Sequence, residues 1–215
     1  MRSIWHLLGA ESPEEALHIA TANERLDELR ALIGQGVDVN ARIPTIMSGQ
    51  SSGTALHIAA SYGLVQPAEI LISSGAALNL LDDMDLTPLM CACSCGGQNG
   101  SRVATMLINA GADATIIRQS DEVTALNFAS NECEPAVIQL LIDKGAEPDG
   151  PTNTDQTALM FAARSTNVAA LKVLIRNGAD PRRECGLRWA KGRTAAWLAQ
   201  NENSLEAYEY LSSLG

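Results

Sequence analysis

Three cysteines, Cys91, Cys93 and Cys95, alternate with small residues in the stretch CACSCGG (91–97). Thiolates set this closely are the material of a structural metal site or a redox centre. Two histidines, His18 and His57, lie in identical ALHIA surroundings. Pairing His57 with Cys91 or Cys95 would set a base beside a nucleophile. Both chemistries impose conditions. Structural zinc takes paired Cys or His two to four residues apart with a second pair downstream, and no second pair is evident. A nucleophile needs its base and an oxyanion donor in mutual reach, and no triad signature, HExxH, GxSxG or Gly-rich phosphate loop occurs.

What positions these residues is a repeat. Leu-Ile-x-x-Gly recurs at Leu32-Ile33…Gly36, Leu71-Ile72…Gly75, Leu107-Ile108…Gly111, Leu141-Ile142…Gly145 and Leu174-Ile175…Gly178, with a variant copy Leu211-Ser212…Gly215. Upstream of each lies a second block: EALHIA (15–20), TALHIA (54–59), TPLMCA (87–92), TALNFA (124–129), TALMFA (157–162) and TAAWLA (194–199). From block start to glycine is 21 residues in five units and 24 in the third.

These blocks resemble the ankyrin repeat, whose signature includes T-P-L-H-x-A; TALHIAASYG (54–63) and TPLMCACSCG (87–96) match it best. The resemblance covers residues 12–215. It implies an all-α solenoid of about six stacked helix-turn-helix units joined by hairpin-like fingers, with repeats near 12–44, 51–83, 84–120, 121–153, 154–190 and 191–215. Residues 1–11 then form an N-terminal capping segment, with Ile4, Trp5, Leu7 and Leu8 as a lid over the first repeat. In the family the motif's His orders the start of the first helix, a role implied here for His18 and His57 alone. Met90, Asn127, Met160 and Trp197 replace it elsewhere, so helix-start hydrogen bonding differs between units.

Local physics points the same way. In Ser12-Pro13-Glu14-Glu15, Ser caps a helix, Pro fills its first turn and Glu15 reaches back to close a capping box. Thr87-Pro88 repeats the order. First helices are short and Ala-rich; second helices carry apolar residues at helical spacing, as at Val137, Ile138, Leu140, Leu141 and Ile142. Each terminal Gly suits a left-handed backbone position. Such units bury their apolar faces only by stacking, so terminal units should be atypical. Ser212, where five units have Ile, fits that.

The period assigns the cysteines to packing. Cys91 aligns with Ile19, Ile58, Phe128, Phe161 and Leu198; Cys93 with a mostly small position; Cys95 with Asn23, Tyr62, Glu132, Ser165 and Glu202. On one helix Cys91 and Cys95 share a side and Cys93 points nearly opposite, so the three cannot converge on one ion. No metal and no cofactor are expected.

The chain of 215 residues carries 15 basic and 25 acidic side chains, a net charge of −10, which excludes a globally basic nucleic-acid footprint. No run of 18 apolar residues offers a membrane span. The start MRSIWHLLGAES is too short for a secretory signal. Five cysteines without one fit a reduced, intracellular setting, cytoplasmic or nuclear.

The repeat breaks in three places. The 40–53 loop is six residues longer than its counterpart between Gly75 and Thr87 and carries Ile43, Ile46 and Met47; binding and tolerated drift are equally open there. GGQNG (96–100) adds three residues between the helices of repeat 3, read as drift. ADPRRECGLRWAKGR (179–193) concentrates Arg182, Arg183, Arg188, Lys191 and Arg193 beside Trp189. Outside residues 181–193, acidic side chains outnumber basic ones twenty-four to ten. Arg and Trp are enriched at interface hot spots, although a charged loop with its Trp covering a helix is an equal reading.

The expected function is a non-catalytic protein–protein interaction module or scaffold, a monomer binding through its concave groove and fingers. Tyr62, Cys95, Glu132, Arg164, Arg182, Arg183, Arg188 and Trp189 are its partner-binding residues, and the 182–193 finger faces an acidic surface. The alternative is an enzyme or small-molecule binder in the groove near the third repeat. A third reading is a fragment of a larger chain.

Overall fold

A computed structural model describes Trp5 and residues 8–42, 53–150 and 152–214. Among these, twelve α-helices form six pairs. They are α1 (Pro13–Ala22) with α2 (Leu26–Gly34), α3 (Ala55–Ser61) with α4 (Val65–Ser73), and α5 (Pro88–Cys95) with α6 (Gly97–Asn109). The second half continues with α7 (Ala125–Glu132) and α8 (Pro135–Asp143), α9 (Ala158–Arg164) and α10 (Val168–Arg176), then α11 (Ala195–Asn201) and α12 (Leu205–Ser212).

The helix boundaries follow the caps. Ser12 Oγ accepts the Glu15 amide at 3.1 Å and Thr87 Oγ1 the Met90 amide at 3.2 Å, each before a first-turn proline. One detail differs from expectation: the Glu15 carboxylate accepts the amide of Glu11, not that of Ser12. At the far ends of the pairs, Gly36, Gly75, Gly111, Gly145 and Gly178 all have positive φ. Their left-handed turns let the following chain leave sharply for the next finger.

Packing explains the period. Leu32, Leu71, Leu107, Leu141 and Leu174 of the Leu-Ile-x-x-Gly motif are fully buried. So are the Ala-Leu-x-x-Ala positions of the first helices, from Ala16, Leu17 and Ala20 through Ala158, Leu159 and Ala162. Ala leaves room for close backbone approach, and each first helix packs more intimately on its neighbours than each second helix does. The first helices therefore form the tight inner row of the array. Trp5 and Leu8 pack against the core at one end, Tyr208 and Tyr210 at the other, where Ser212 is exposed. Ile4 and Leu7 of the expected lid, and Ile43, Ile46 and Met47 of the 40–53 loop, lie outside the described residues.

The connections are hairpin fingers. Their arms are tied by Asp82 N to Leu86 O (2.9 Å), Arg118 N to Val123 O (2.9 Å) and Cys185 N to Arg193 O (2.8 Å). Successive fingers are stapled to each other by a side chain four residues beyond the terminal Gly. Asn40 Oδ1 accepts the Ala77 amide at 2.7 Å, Asn79 Oδ1 the Asp113 amide at 2.9 Å, and Asp149 Oδ2 the Asp180 amide at 2.9 Å.

The GGQNG insertion does not lengthen a loop. It extends α6 to 13 residues, against 9 in α8 and α10. Gly96 makes the corner at φ 62 and ψ −161. A Cβ on Gly100 would stand 2.7 Å from the Ala92 carbonyl oxygen, so only glycine lets α6 lie that close to α5.

Candidate functional site

The expected histidine role splits in two. In repeat 2, His57 Nδ1 accepts from the Thr54 amide (3.1 Å) and hydroxyl (2.9 Å), while Nε2–H donates to the carbonyls of Leu80 and Leu86. His57 thus starts α3 and ties it to the next finger. Burial depresses its pKa, only partly offset by Asp82. His18 does not start α1, which begins earlier at Ser12 and Pro13. Its ring instead bonds the Glu14 carbonyl within the helix and the Gly53 carbonyl of the following connection.

Asn127 reproduces the His57 pattern: its Oδ1 accepts both the amide and the hydroxyl of Thr124 at 2.8 Å. Met160 cannot, and Thr157 Oγ1 is left buried without a partner. In repeat 6 Trp197 abandons the cap, and its ring lies against Trp189 with centroids 6.0 Å apart.

The Cys/His pair is not assembled, because both His57 nitrogens are engaged elsewhere. Burial pushes the Cys91 thiol up to about 12, a value that keeps it protonated and poorly nucleophilic. Helix α5 lies between α3 and α7, and its thiols leave it in different directions. Cys91 turns to Ser61 of the preceding repeat, while Cys93 meets Cys133 of the following one. Cys133 Sγ also donates to the Cys93 carbonyl at 3.5 Å. A hydrogen bond to Cys133 and full burial raise the Cys93 pKa. Cys95, half-buried beside Gly63, is raised more modestly, first by burial. Among the described residues no group of three or more His, Cys, Asp or Glu converges as metal ligands.

The eight expected partner-binding residues fall into two sets. Tyr62, Cys95 and Glu132 close the C-terminal ends of α3, α5 and α7, next to the turns into the second helices. Adjacent repeats bring them into line: Gly63 abuts Cys95, and Gly96 abuts Glu132. Tyr62 is 52% exposed, Glu132 exposed and Cys95 half-buried. The fingers stand at the opposite, N-terminal ends of the same helices. Arg182, Arg183, Arg188 and Trp189 are on the last finger, all exposed. Arg164 occupies the repeat position of Ser61 and Asn131, next to the first set, yet joins the second. Its guanidinium reaches back along α9 to Gln156 Oε1 (3.3 Å) and stands 5.7 Å above the Trp189 ring. Arg182 is committed in part to Asp180: its backbone amide (2.9 Å) and its guanidinium (3.4 Å) both donate to Asp180 Oδ1, and the two hold that carboxyl below the usual range.

A third set lies at the position aligned with Cys91. Ile19, Ile58, Phe128 and Phe161 occupy one repeat position and are half-buried rather than core. They form an apolar floor between the two rims, with the Arg118 guanidinium 5.5 Å above Phe128 and held there by Asp121. The signal was available, since positions 58, 61 and 62 share one helix face at the i, i+3, i+4 spacing.

Comparison with known proteins agrees with this architecture. The family model for ankyrin repeats (3 copies) matches residues 17–118, 97–185 and 126–215. A curated human relative, Ankyrin repeat and SOCS box protein 16, is 30% identical over 140 residues, covering 63% of this chain. The match spans only 30% of that relative's length. No described helix is long and apolar enough to cross a membrane. Ankyrin repeats generally serve as protein–protein interaction modules. With its repeats matched from residue 17 to residue 215, this chain belongs to the ankyrin repeat family.

Proposed function

We propose that this protein is a non-catalytic binding module that takes a partner protein along the inner face of its first helices and its fingers. The observation that carries the reading is the half-buried apolar row of Ile58, Phe128 and Phe161, interrupted at the third repeat by the buried Cys91 and rimmed by Tyr62 and Glu132 on one side and the fingers on the other. Apolar side chains edged by polar groups are the ordinary character of a protein-binding face. Selectivity comes from the rims, which differ between repeats while the buried Ala and Leu positions repeat. The last finger supplies positive charge for an acidic partner surface. Five free cysteines support a reducing, intracellular location for the module.

The test is affinity capture of a partner with the whole chain, followed by binding measurements on variants. Tyr62→Ala combined with Glu132→Lys should weaken binding by roughly tenfold or more. Glu69→Lys, on the exposed side of α4, should leave it unchanged. The opposite ranking would move the binding face to the outer helices.

A further inference from the structure

The last finger carries an arrangement of side chains that neither the fold nor the repeat requires. Arg164, Trp189, Trp197 and Arg193 follow one another in space: guanidinium over ring at 5.7 Å, ring to ring at 6.0 Å, and ring to guanidinium at 5.3 Å. They come from α9, from the finger and from α11, so two repeats cooperate in building the row. Trp189 is 52% exposed even so. A large indole held half in water between a cation and a second indole is fixed in place before any partner arrives, which reduces the ordering cost of binding.

We propose that this row is the docking seat for an acidic linear segment of a partner protein carrying one aromatic or large aliphatic residue. The proposal rests on the binding-module reading above and specifies the partner's chemistry and its place on the surface. Three observations select that occupant. The first is charge: Arg188, Lys191 and Arg193 are exposed and form no ion pair with a described residue. By contrast Arg118, the cation of an earlier finger, is already bound by Asp121 through two nitrogens. The second is confinement. The earlier fingers expose Asp113, Glu122 and Glu147, so an acidic chain meets like charge along them and a cluster of cations at the last finger. The third is length: at the spacings above, an extended chain crosses the row in about five residues. The anchor residue packs on the open part of Trp189, while carboxylates on either side meet Arg164 and Arg188 with Lys191.

The row also accounts for a departure from the repeat. Trp197 stands where the motif has His, and it makes no capping contact with Thr194. Where His57 reaches forward to the next finger, Trp197 reaches back to the preceding one and holds it through a tilted ring contact with Trp189. A single-stranded nucleic acid also stacks on exposed Trp and pairs with Arg. The net charge of −10 disfavours that occupant, and the experiment separates the two.

The test is fluorescence anisotropy on the whole chain with labelled synthetic probes. These are an eight-residue Glu/Asp peptide with a central Phe, the same peptide with Ser for Phe, a Lys version, and an oligothymidylate of similar length. The Phe-bearing acidic peptide should bind most tightly, and less so at high salt. Trp189→Ala and loss of the peptide's Phe should each weaken it severalfold, and together little more than either alone, as direct contact requires. Arg188→Glu with Lys191→Glu should cost roughly tenfold or more. Trp189→Phe, which keeps a ring in the row, should retain most of the affinity, and unfolding midpoints identify any variant that has lost the fold. Equal binding of the Phe and Ser peptides, independence of the two losses, or tighter binding of the oligonucleotide would overturn the proposal. If Tyr62→Ala with Glu132→Lys abolishes partner capture while the finger variants do not, the module reading stands and this seat alone falls.

Discussion

The Nδ1 atom of His57 accepts the backbone amide of Thr54 at 3.1 Å, while its Nε2–H faces the carbonyls of Leu80 and Leu86 at 3.0 and 3.1 Å. One neutral imidazole therefore serves a helix start and a finger together. Protonating Nδ1 would turn its acceptor into a donor facing another donor, and burial opposes the charge.

That arrangement fixes a pH dependence. Burial holds the folded pKa of His57 below 6.5, so below that pH the unfolded chain binds the proton more readily. The contribution of this residue is complete above the unfolded value and is lost as pH falls from about 6.5 through the depressed folded value. His57→Asn should keep the Thr54 contacts, as Asn127 does for Thr124. It should cost about 1–2 kcal/mol through the lost Nε2 donor and remove this part of the pH slope. Denaturant unfolding between pH 7.5 and pH 5 checks it; an undiminished slope in the variant would count against the tautomer described here.

The two threonines of repeats 4 and 5 differ in a way that mutation can read. Thr124 has its hydroxyl bonded to Asn127, whereas the Thr157 hydroxyl is buried without a partner. Thr124→Val should destabilise by about 1 kcal/mol, while Thr157→Val, which removes only an unmet polar group, should be neutral or stabilising. Unfolding midpoints of the two variants should therefore move apart. Equal losses would mean that Thr157 has a partner after all.

Glycine positions separate backbone strain from crowding. Gly145 has φ 97, and an added Cβ would meet only a methyl of Thr115 at 3.6 Å, so Gly145→Ala should cost about 1 kcal/mol. Gly96 combines φ 62 and ψ −161 with a Cβ site 2.6 Å from the Glu132 Cβ. Gly96→Ala should cost clearly more, on the order of 2–4 kcal/mol, and should loosen repeats 3 and 4 together. Chemical denaturation of both variants ranks them, and a Gly145→Ala loss as large as that of Gly96→Ala would contradict the difference in crowding.

These comparisons show where sequence was sufficient. Thr87-Pro88 and Ser12-Pro13 place helix starts because a cap and a first-turn proline act locally, whatever surrounds them. Leu32, Leu71 and their counterparts are buried because stacking offers each unit the same core position. GGQNG misled because glycine pairs read as breakers, while close packing of α6 on α5 demands Gly100 inside a helix. The repeat position of Arg164 locates only its Cα, beside Tyr62 and Glu132 in the register, while its side chain projects back toward the N-terminus of its helix. Ile58, Phe128 and Phe161 passed for core because apolar type does not distinguish a buried position from the open floor of a groove. The staples from Asn40, Asn79 and Asp149 were legible in principle, since each lies four residues beyond its glycine, but their partner amides are in the next repeat.

Thiol chemistry tests the packing account of the cysteines. Cys91, Cys93, Cys133 and Cys185 are buried and Cys95 is half-buried. In the folded protein a disulfide reagent such as DTNB should titrate one thiol promptly, Cys95, and the remaining four only on unfolding. Mass spectrometry of the modified peptide identifies the site. Prompt reaction of Cys91 would contradict its burial and its raised pKa.

The central claim, that a partner protein lies along the inner face and the last finger, is tested most directly by hydrogen exchange mass spectrometry of the whole chain with and without a captured partner. The expected result is slowed exchange in residues 184–193 and at the C-terminal ends of α3, α5 and α7, with α4, α8 and α10 unchanged. Protection confined to those second helices, with the finger and the first helices exchanging as in the free chain, would contradict the account.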